Sequence, residues 1–560
     1  MESRRCGSCC GSGSSVGEET ERWGPINDGV MRKLGLPLET VDSPDTRARP
    51  KVLPVDGDQA VRFSAFDVTL VVGLLLLAAV LRRPWYMLSH PFWLDEAWVA
   101  DSVRAPFSSL RLITSATPLG WTVLLRLIPP IGGPERYRLL PLLFSVAGVL
   151  PAYAIGRTVL PRTHLGGMVA AFAVAIFPDG LLHKALKPYT ADAFMALLLW
   201  WLMARLEREW SRKRLGTLVF ASGAGLLVSH TTAFVASSMF VALFLVNLRH
   251  GSRRRLRDVI VAGGVLALAF LIIYAGADRS GINPRLTSYW SRSFVPLHRG
   301  IGMAVDFMKD RGRAMLETLH VGPWWLALLL VLFGLATLWR RGQPALALVI
   351  PIETIEAILA SARRLYPLWD HRTSLFLTTQ LILVVAIGVS GAVLAFRRHA
   401  LISVLGLFSF LVLLALGAWR NYGTPLPTED VRGPVQYLSA HRQPGDSIVV
   451  SSLGAYSFAY YWQPDRPLFV PTETTAVTFS VIYGAGSRIL VARDATDDLV
   501  MEALDKAAVQ VTEGGRVWIV LSHVRRHERA VWLEGAQGLG KLITIPGFQG
   551  SLYLVNLGQP

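Results

Sequence analysis

The sequence is short of cysteine, short of charge and short of lysine. Its three cysteines, Cys6, Cys9 and Cys10, all lie in CGSCCGSGSS at the N-terminus. A disulfide framework elsewhere in the chain is therefore excluded. A zinc site needs about four ligands, and no fourth accompanies these three. Charged residues make up 17% of the 560 positions and hydrophobic ones 52%, whereas soluble domains carry about 25% charge. The composition is that of a polytopic α-helical membrane protein. No Gly-rich nucleotide fingerprint is present. No internal repeat is evident, which argues against a repeat-built transporter. The first apolar run starts at Phe66, too late for a cleavable signal peptide, so it is expected to act as an uncleaved anchor.

What is present is a ladder of apolar runs. Residues 1–62, rich in Gly, Ser, Pro and charge, read as a disordered cytoplasmic tail. Spans need about 20 apolar residues. Candidates fall at 66–81, 139–157, 166–180, 191–206, 217–231, 232–248, 258–276, 323–339, 344–361, 373–396 and 400–418. With the N-terminus inside, the clusters GRTVLPRTH, RLEREWSRKR, RHGSRRRLRD, WRRGQ and FRRHA all face the cytoplasm, as the positive-inside rule asks. The net charge of +16 then reads as basic inner loops, and a nucleic-acid partner is not needed. PLGWTVLLRLIPPIGG (118–133) has too few apolar residues before its double proline to span. Were it to cross, every basic loop after it would face outward. It therefore reads as an interfacial or re-entrant helix.

The expected architecture is about eleven to thirteen transmembrane helices at 63–422, followed by a C-terminal extracytoplasmic α/β domain at 423–560. In that last region SIVVSS, RILVAR, VWIVLS and SLYLVNL are strand-like, and DLVMEALDKAAV is helical. A plasma-membrane, multi-pass location follows.

Three polar stretches then fall on the outer face. HPFWLDEAW (90–98) carries Asp95 and Glu96 between two tryptophans. FPDGLLHKALKPYTADAF (177–194) carries Lys184, Lys187, Tyr189 and Asp192. ARRLYPLWDHRTSLF (362–376) carries Tyr366, Asp370 and Arg372. Lysines on the outer side oppose the charge rule, which singles them out.

Sugar transfer from a polyprenyl phosphate needs this mixture. The leaving lipid phosphate is held by Arg or Lys. The acceptor hydroxyl needs a carboxylate base within hydrogen-bond reach. Aromatics such as Trp93, Trp98 and Trp290 either stack on sugar faces or form an interfacial belt.

The order of these segments resembles the membrane-embedded GT-C glycosyltransferases, in particular the protein O-mannosyltransferase and aminoarabinose-transferase branch. SYWSRSFVP (288–296), LYPLWDHRTSLF (365–376) and VRGPVQYLSAHRQPGDSIVV (431–450) are similar to a bacterial subgroup with a C-terminal extracytoplasmic domain. The resemblance covers about 66–560. It implies that Asp95 is the reaction-centre acid and Glu96 its companion, and that Lys187 and Arg372 hold the donor phosphate. Tyr189, Asp192 and Tyr366 would shape the sugar and acceptor site. Ala185, where a Glu often stands, and Pro188, in place of a commoner Gln, depart from the pattern. The implied partners are a polyprenyl-phosphate-linked sugar donor, an envelope glycan, lipid or protein acceptor, and membrane lipids. A divalent cation could bridge acid and phosphate, although the acids are too few to require one.

Plainer readings stand beside these. Asp95 and Glu96 serve as loop charges, Lys187 as a snorkelling side chain, and Asp192 as an N-cap for a helix starting near Ala193. Glu353 and Glu356 lie three apart inside ALALVIPIETIEAILA, where buried acids mark function by default. They would face a cavity or pair with a basic group such as Arg126. They support a rival reading as a transporter or flippase of lipid-linked sugars. A non-catalytic scaffold acting through the C-terminal region is a third.

Overall fold

The computed structural model describes residues 64–557, except 115–116, 132, 179–185, 250–251, 278–283, 423–428, 473–476, 495, 513 and 549. The N-terminal tail, its cysteines and Lys184 lie outside the described residues.

Each expected span is a helix. They are Ala65–Leu81, the pair Leu139–Ala147 and Val149–Val159, Leu165–Ile176, Tyr189–Arg208, Arg212–Val228, Thr232–Arg249, Arg253–Gly276, Trp324–Arg340, Pro344–Ala362, Leu375–Ala395 and Ala400–Tyr422. Among the described residues, seven helices are long and apolar enough to cross a membrane, and Leu165–Ile176 and Trp324–Arg340 are shorter apolar ones. The chain is a multi-pass membrane protein. Leu119–Arg126 has 8 residues, about 12 Å of helix, and does not span.

Burial sorts the helices. The apolar window of Leu375–Ala395 is 83% buried, while those of Arg253–Gly276 and Ala400–Tyr422 are 17% buried. The first is therefore the centre of the bundle, and the other two present their apolar surface to lipid. Two glycines let neighbours approach the central helix. A Cβ on Gly334 would stand 2.2 Å from the carbonyl oxygen of Val384, and one on Gly388 would stand 2.9 Å from Gly334 Cα. Small residues at such crossings replace the hydrophobic drive that lipid removes.

Polar side chains pin the helix starts. Ser64 and Asp67 form a capping box at Ala65–Leu81, satisfying two orphan backbone donors. Asp67 also accepts from Tyr153 Oη and lies 2.7 Å from His164 Nδ1. Glu207 accepts from the backbone N–H groups of Ala345 (2.7 Å) and Leu346 (2.9 Å). It thereby caps Pro344–Ala362 from the neighbouring Tyr189–Arg208 helix.

The C-terminal region is α/β, as expected. Its strands are β1 (Ser447–Val450), β2 (Leu468–Pro471), β3 (Phe479–Ile482), β4 (Ile489–Val491), β5 (Val517–Val520), β6 (Gly540–Thr544) and β7 (Leu552–Leu557). The main sheet has the order β4-β1-β5-β7-β6, and β2 and β3 form a separate antiparallel pair. β1 runs parallel to β4 and β5, whereas β7 is antiparallel to β5 and β6. Asp497–Gln510 and Arg526–Leu539 bury one face of the sheet. β2, β3 and β6 are the strands that sequence reasoning missed. β2 and β6 are largely exposed, so their apolar pattern is weak.

The other face of the sheet shares a core with the first long loop. Phe92, Ala97, Trp98, Trp121 and Tyr137 pack in one cluster with Tyr456, Phe458, Tyr460, Ile448 and Trp518. The C-terminal region is therefore fused to the Leu94–Arg104 helix rather than tethered beside it.

Candidate active site

Leu94–Arg104 starts immediately after Trp93, and Asp95 and Glu96 occupy its first turn. That placement favours acids, because the helix N-terminus is electropositive. Neighbouring positions on a helix point about 100° apart, so the two carboxylates part company.

Asp95 turns toward the bundle. Its Oδ2 lies 3.4 Å from Lys187 Nζ and 3.3 Å from Arg372 Nη1. Lys187 is also 4.7 Å from the ring centre of Trp98, a cation–π contact. Arg372 is braced by Asp370, whose Oδ1 accepts from the Arg372 backbone N–H at 3.1 Å. Its guanidinium also bonds Tyr289 and sits 5.5 Å from the ring centre of Trp290. Burial pulls the Lys187 ammonium below the ordinary lysine range, with Arg372 acting the same way and Asp95 opposing it. Three segments far apart in sequence thus deliver one carboxylate and two cations to one point. Asp95 and its two cations are the sequence expectations that the structure brings together.

Tyr189 is buried beside this cluster, within the fields of Arg372, Asp95 and Asp370. The other assigned residues stand one layer back. Glu96 is fully buried and turned away from Asp95 into a salt bridge with Arg138, whose Nε donates to Oε1 at 2.8 Å. Arg138 also donates to the carbonyls of Met87, His90 and Pro91, at 2.6, 2.6 and 3.1 Å. Glu96 therefore fixes the HPFWLDEAW turn, and it has no open face toward a sugar. Tyr366 donates to the Thr373 carbonyl at 2.5 Å, closing the loop that carries Arg372. Asp192 lies within the first turn of a helix that begins at Tyr189, so it is not an N-cap. It faces Ser229 and Thr231 instead.

Glu353 and Glu356 stand elsewhere. Glu353 is fully buried and accepts from Gln380 Nε2 at 3.1 Å. Glu356 accepts from Ser237 Oγ at 2.6 Å. Arg126 pairs with neither. It donates to the carbonyl of Ala105 and lies 4.2 Å from the ring centre of Phe107.

Sequence reasoning missed the residues that dock the C-terminal region. Glu135 is buried and accepts from Tyr461 Oη and Arg432 Nη1, each at 2.9 Å. Tyr461 Oη also receives the Phe92 backbone N–H at 2.6 Å. Arg104 donates to the Tyr460 carbonyl at 2.7 Å and stacks on its ring at 3.8 Å. Asp101 is buried against this interface with neither oxygen hydrogen-bonded among the described residues, and burial pushes its carboxyl well above the usual range. Arg104, like Arg138, left a signal, as a basic residue in the first outer loop against the charge rule.

No family model matches the chain, and no curated protein matches it. Solved structures do. ArnT from Cupriavidus metallidurans bound to undecaprenyl phosphate superposes with a TM-score of 0.53 at 13% identity, covering 88% of this chain and 97% of that one. The Archaeoglobus fulgidus oligosaccharyltransferase, in complex with Zn and sulfate, gives 0.51 at 12% identity, over 80% and 68%. The chain has the GT-C fold. The expected likeness to the aminoarabinose-transferase branch therefore holds at the level of architecture. In this GT-C bundle the Asp95 cluster occupies the end covered by the α/β region.

The donor set at Asp95 does not suit a divalent ion. Two cations already share one of its oxygens, and the neighbouring Asp370 is engaged by Arg372. Among the described residues no three His, Cys, Asp or Glu side chains converge.

Proposed function

We propose that this protein is a glycosyltransferase that moves a sugar from a polyprenyl phosphate to a hydroxyl of an envelope acceptor outside the membrane. The observation that carries the reading is Asp95 shared by Lys187 and Arg372 at one end of a GT-C bundle. An isolated buried charge is costly, so the carboxylate and the two cations hold each other until a donor arrives. The donor phosphate then offers the cations a stronger bidentate partner, and Asp95 is released to accept a proton.

The acceptor oxygen forms a bond to the anomeric carbon as the bond from that carbon to the phosphate oxygen breaks. The acceptor proton passes to Asp95, and the electron pair leaves on the phosphate, neutralised by Lys187 and Arg372. Attack opposite the phosphate inverts the anomeric centre. Tyr189 and Trp290 line the space beside the cations. Glu96, Tyr366 and Asp370 act as positioning residues. The positive-inside rule, applied to the basic loops between the spans, supports an extracytoplasmic site. The ArnT structure holds undecaprenyl phosphate, which supports a lipid phosphate as the ligand of the same fold.

The test is envelope glycan composition in a deletion strain complemented with wild type or Asp95→Asn. Wild type is expected to restore a missing sugar that Asp95→Asn, made in equal amount, does not. Equal restoration by both would sink the assignment.

A further inference from the structure

The C-terminal region presents one dyad to the site that the transfer chemistry above does not use. His523 lies three residues beyond β5, and its Nδ1 is 2.6 Å from Glu429 Oε1. Its φ is +56°, a left-handed conformation that a non-glycine residue holds only when its surroundings impose it. Its Nε2 has no hydrogen-bond partner among the described residues, and neither has Glu429 Oε2. Both groups keep unused hydrogen-bonding capacity.

The fold explains where this dyad points. From β1 the chain goes to β4 on one side and then to β5 on the other. The carboxyl ends of β1 and β5 therefore flank a topological switch point, the place where α/β sheets bind ligands. Ser451 and Ser522 clasp these two ends, with Ser522 N donating to Ser451 Oγ at 3.1 Å and Ser451 Oγ to the Ser522 carbonyl at 3.0 Å.

Gly454 opens the next helix, Gly454–Tyr461, against Ser522. A Cβ there would stand 3.2 Å from Ser522 Cβ. Tyr456 on that helix meets Trp98 edge-on at 6.4 Å. Trp98 is one turn along from Asp95 on the same helix face. A packed path of four residues thus joins Asp95 to His523. The charges that face His523 are Glu429, Asp95 and Glu528, and the Glu429 hydrogen bond leads in raising its pKa above the ordinary histidine range.

We propose that His523, oriented by Glu429, is the C-terminal region's contact to a hydroxyl-rich acceptor glycan, holding it opposite Asp95. The inference rests on the glycosyl-transfer reading. A protonated imidazole beside a carboxylate with a spare oxygen gives a donor and an acceptor side by side, the pair that adjacent sugar hydroxyls need. Asp95 deprotonates the nucleophile, and His523 sets which acceptor is held.

The experiment uses membranes containing the full-length protein. Lipid extract from wild-type cells serves as the donor pool and envelope fraction from the deletion strain as the acceptor probe. Sugar transfer is measured against acceptor amount for wild type, His523→Ala and Glu429→Gln. A lost hydrogen bond to a charged group corresponds to about a tenfold change or more. His523→Ala is therefore expected to raise the half-saturating acceptor amount about tenfold, with a smaller change in the saturating rate.

Glu429→Gln removes the partner that raises the His523 pKa. It should move the alkaline fall in acceptor affinity to lower pH, a shift that a merely structural role would not produce. An unchanged half-saturating amount, or an equal loss of rate at every acceptor level with no pH shift, overturns the inference while leaving the transfer reading standing. No transfer by wild type overturns both.

Discussion

The two acid pairs that stand out in the sequence end in opposite settings. At the end of the bundle, Asp95 is shared by two cations that come from different segments. Inside the bundle, Glu353 and Glu356 meet only neutral partners, Gln380 and Ser237. On the proposed reading, a carboxylate shared by two cations can give them up to a phosphate. Among the described residues, Glu353 and Glu356 hold no cation that a phosphate could take over. The difference favours the outer pair for chemistry and the inner pair for helix packing. Within the outer pair the contrast repeats, since Glu96 spends both oxygens on Arg138.

The sharpest break in this comparison comes from Asp95→Asn. Loss of a general base costs on the order of 10²–10⁴-fold in rate, so envelope sugar transfer should fall by at least about 10²-fold at normal protein abundance. Glu96→Ala is next and differs in kind. Breaking a buried ion pair by removing one partner costs about 3–5 kcal/mol, so unfolding in detergent should shift strongly. A normally stable but inactive Glu96→Ala protein would return Glu96 to the chemistry.

Lys187 tests the cations. Burial lowers its pKa, so its charge is lost at a lower pH than that of a free lysine as pH rises. Sugar transfer should therefore fall on the alkaline side. Lys187→Arg, whose guanidinium stays charged, should move that fall upward, at a reduced rate. An unmoved limb would remove Lys187 from phosphate binding. The smallest effect belongs to Glu353→Gln, which keeps a hydrogen-bonding side chain opposite Gln380. Stability is expected to change by about 1 kcal/mol or less, with transfer unaffected. A large loss of transfer there would revive the transporter reading.

Much of this was legible in sequence, and the limits have physical causes. Apolar run length and the sidedness of arginine clusters located the helices, because lipid leaves few alternatives. Asp95, Lys187 and Arg372 were legible because a charge at the membrane edge needs a reason. The roles of Glu96, Tyr366 and Asp192 were not. Which way a first-turn side chain points depends on partners such as Arg138 and Ser229, which lie on other segments. The docking of Tyr460 and Tyr461 onto the first loop was invisible for the same reason. GAYSFAYY reads as an ordinary apolar helix until its partner is known.

That docking has a consequence for biosynthesis. The hydrogen bond from Phe92 to Tyr461 joins positions 369 residues apart. A ribosome adds about 5–20 residues per second. The first loop therefore emerges tens of seconds before the segment that covers it. Through that interval Trp98, Trp121 and Tyr137 lack the part of their core that the C-terminal region supplies, and the turn bearing Asp95 is held by Arg138, Lys187 and Arg372. The loop that bears Asp95 reaches its full packing only when the Gly454–Tyr461 helix has docked on it.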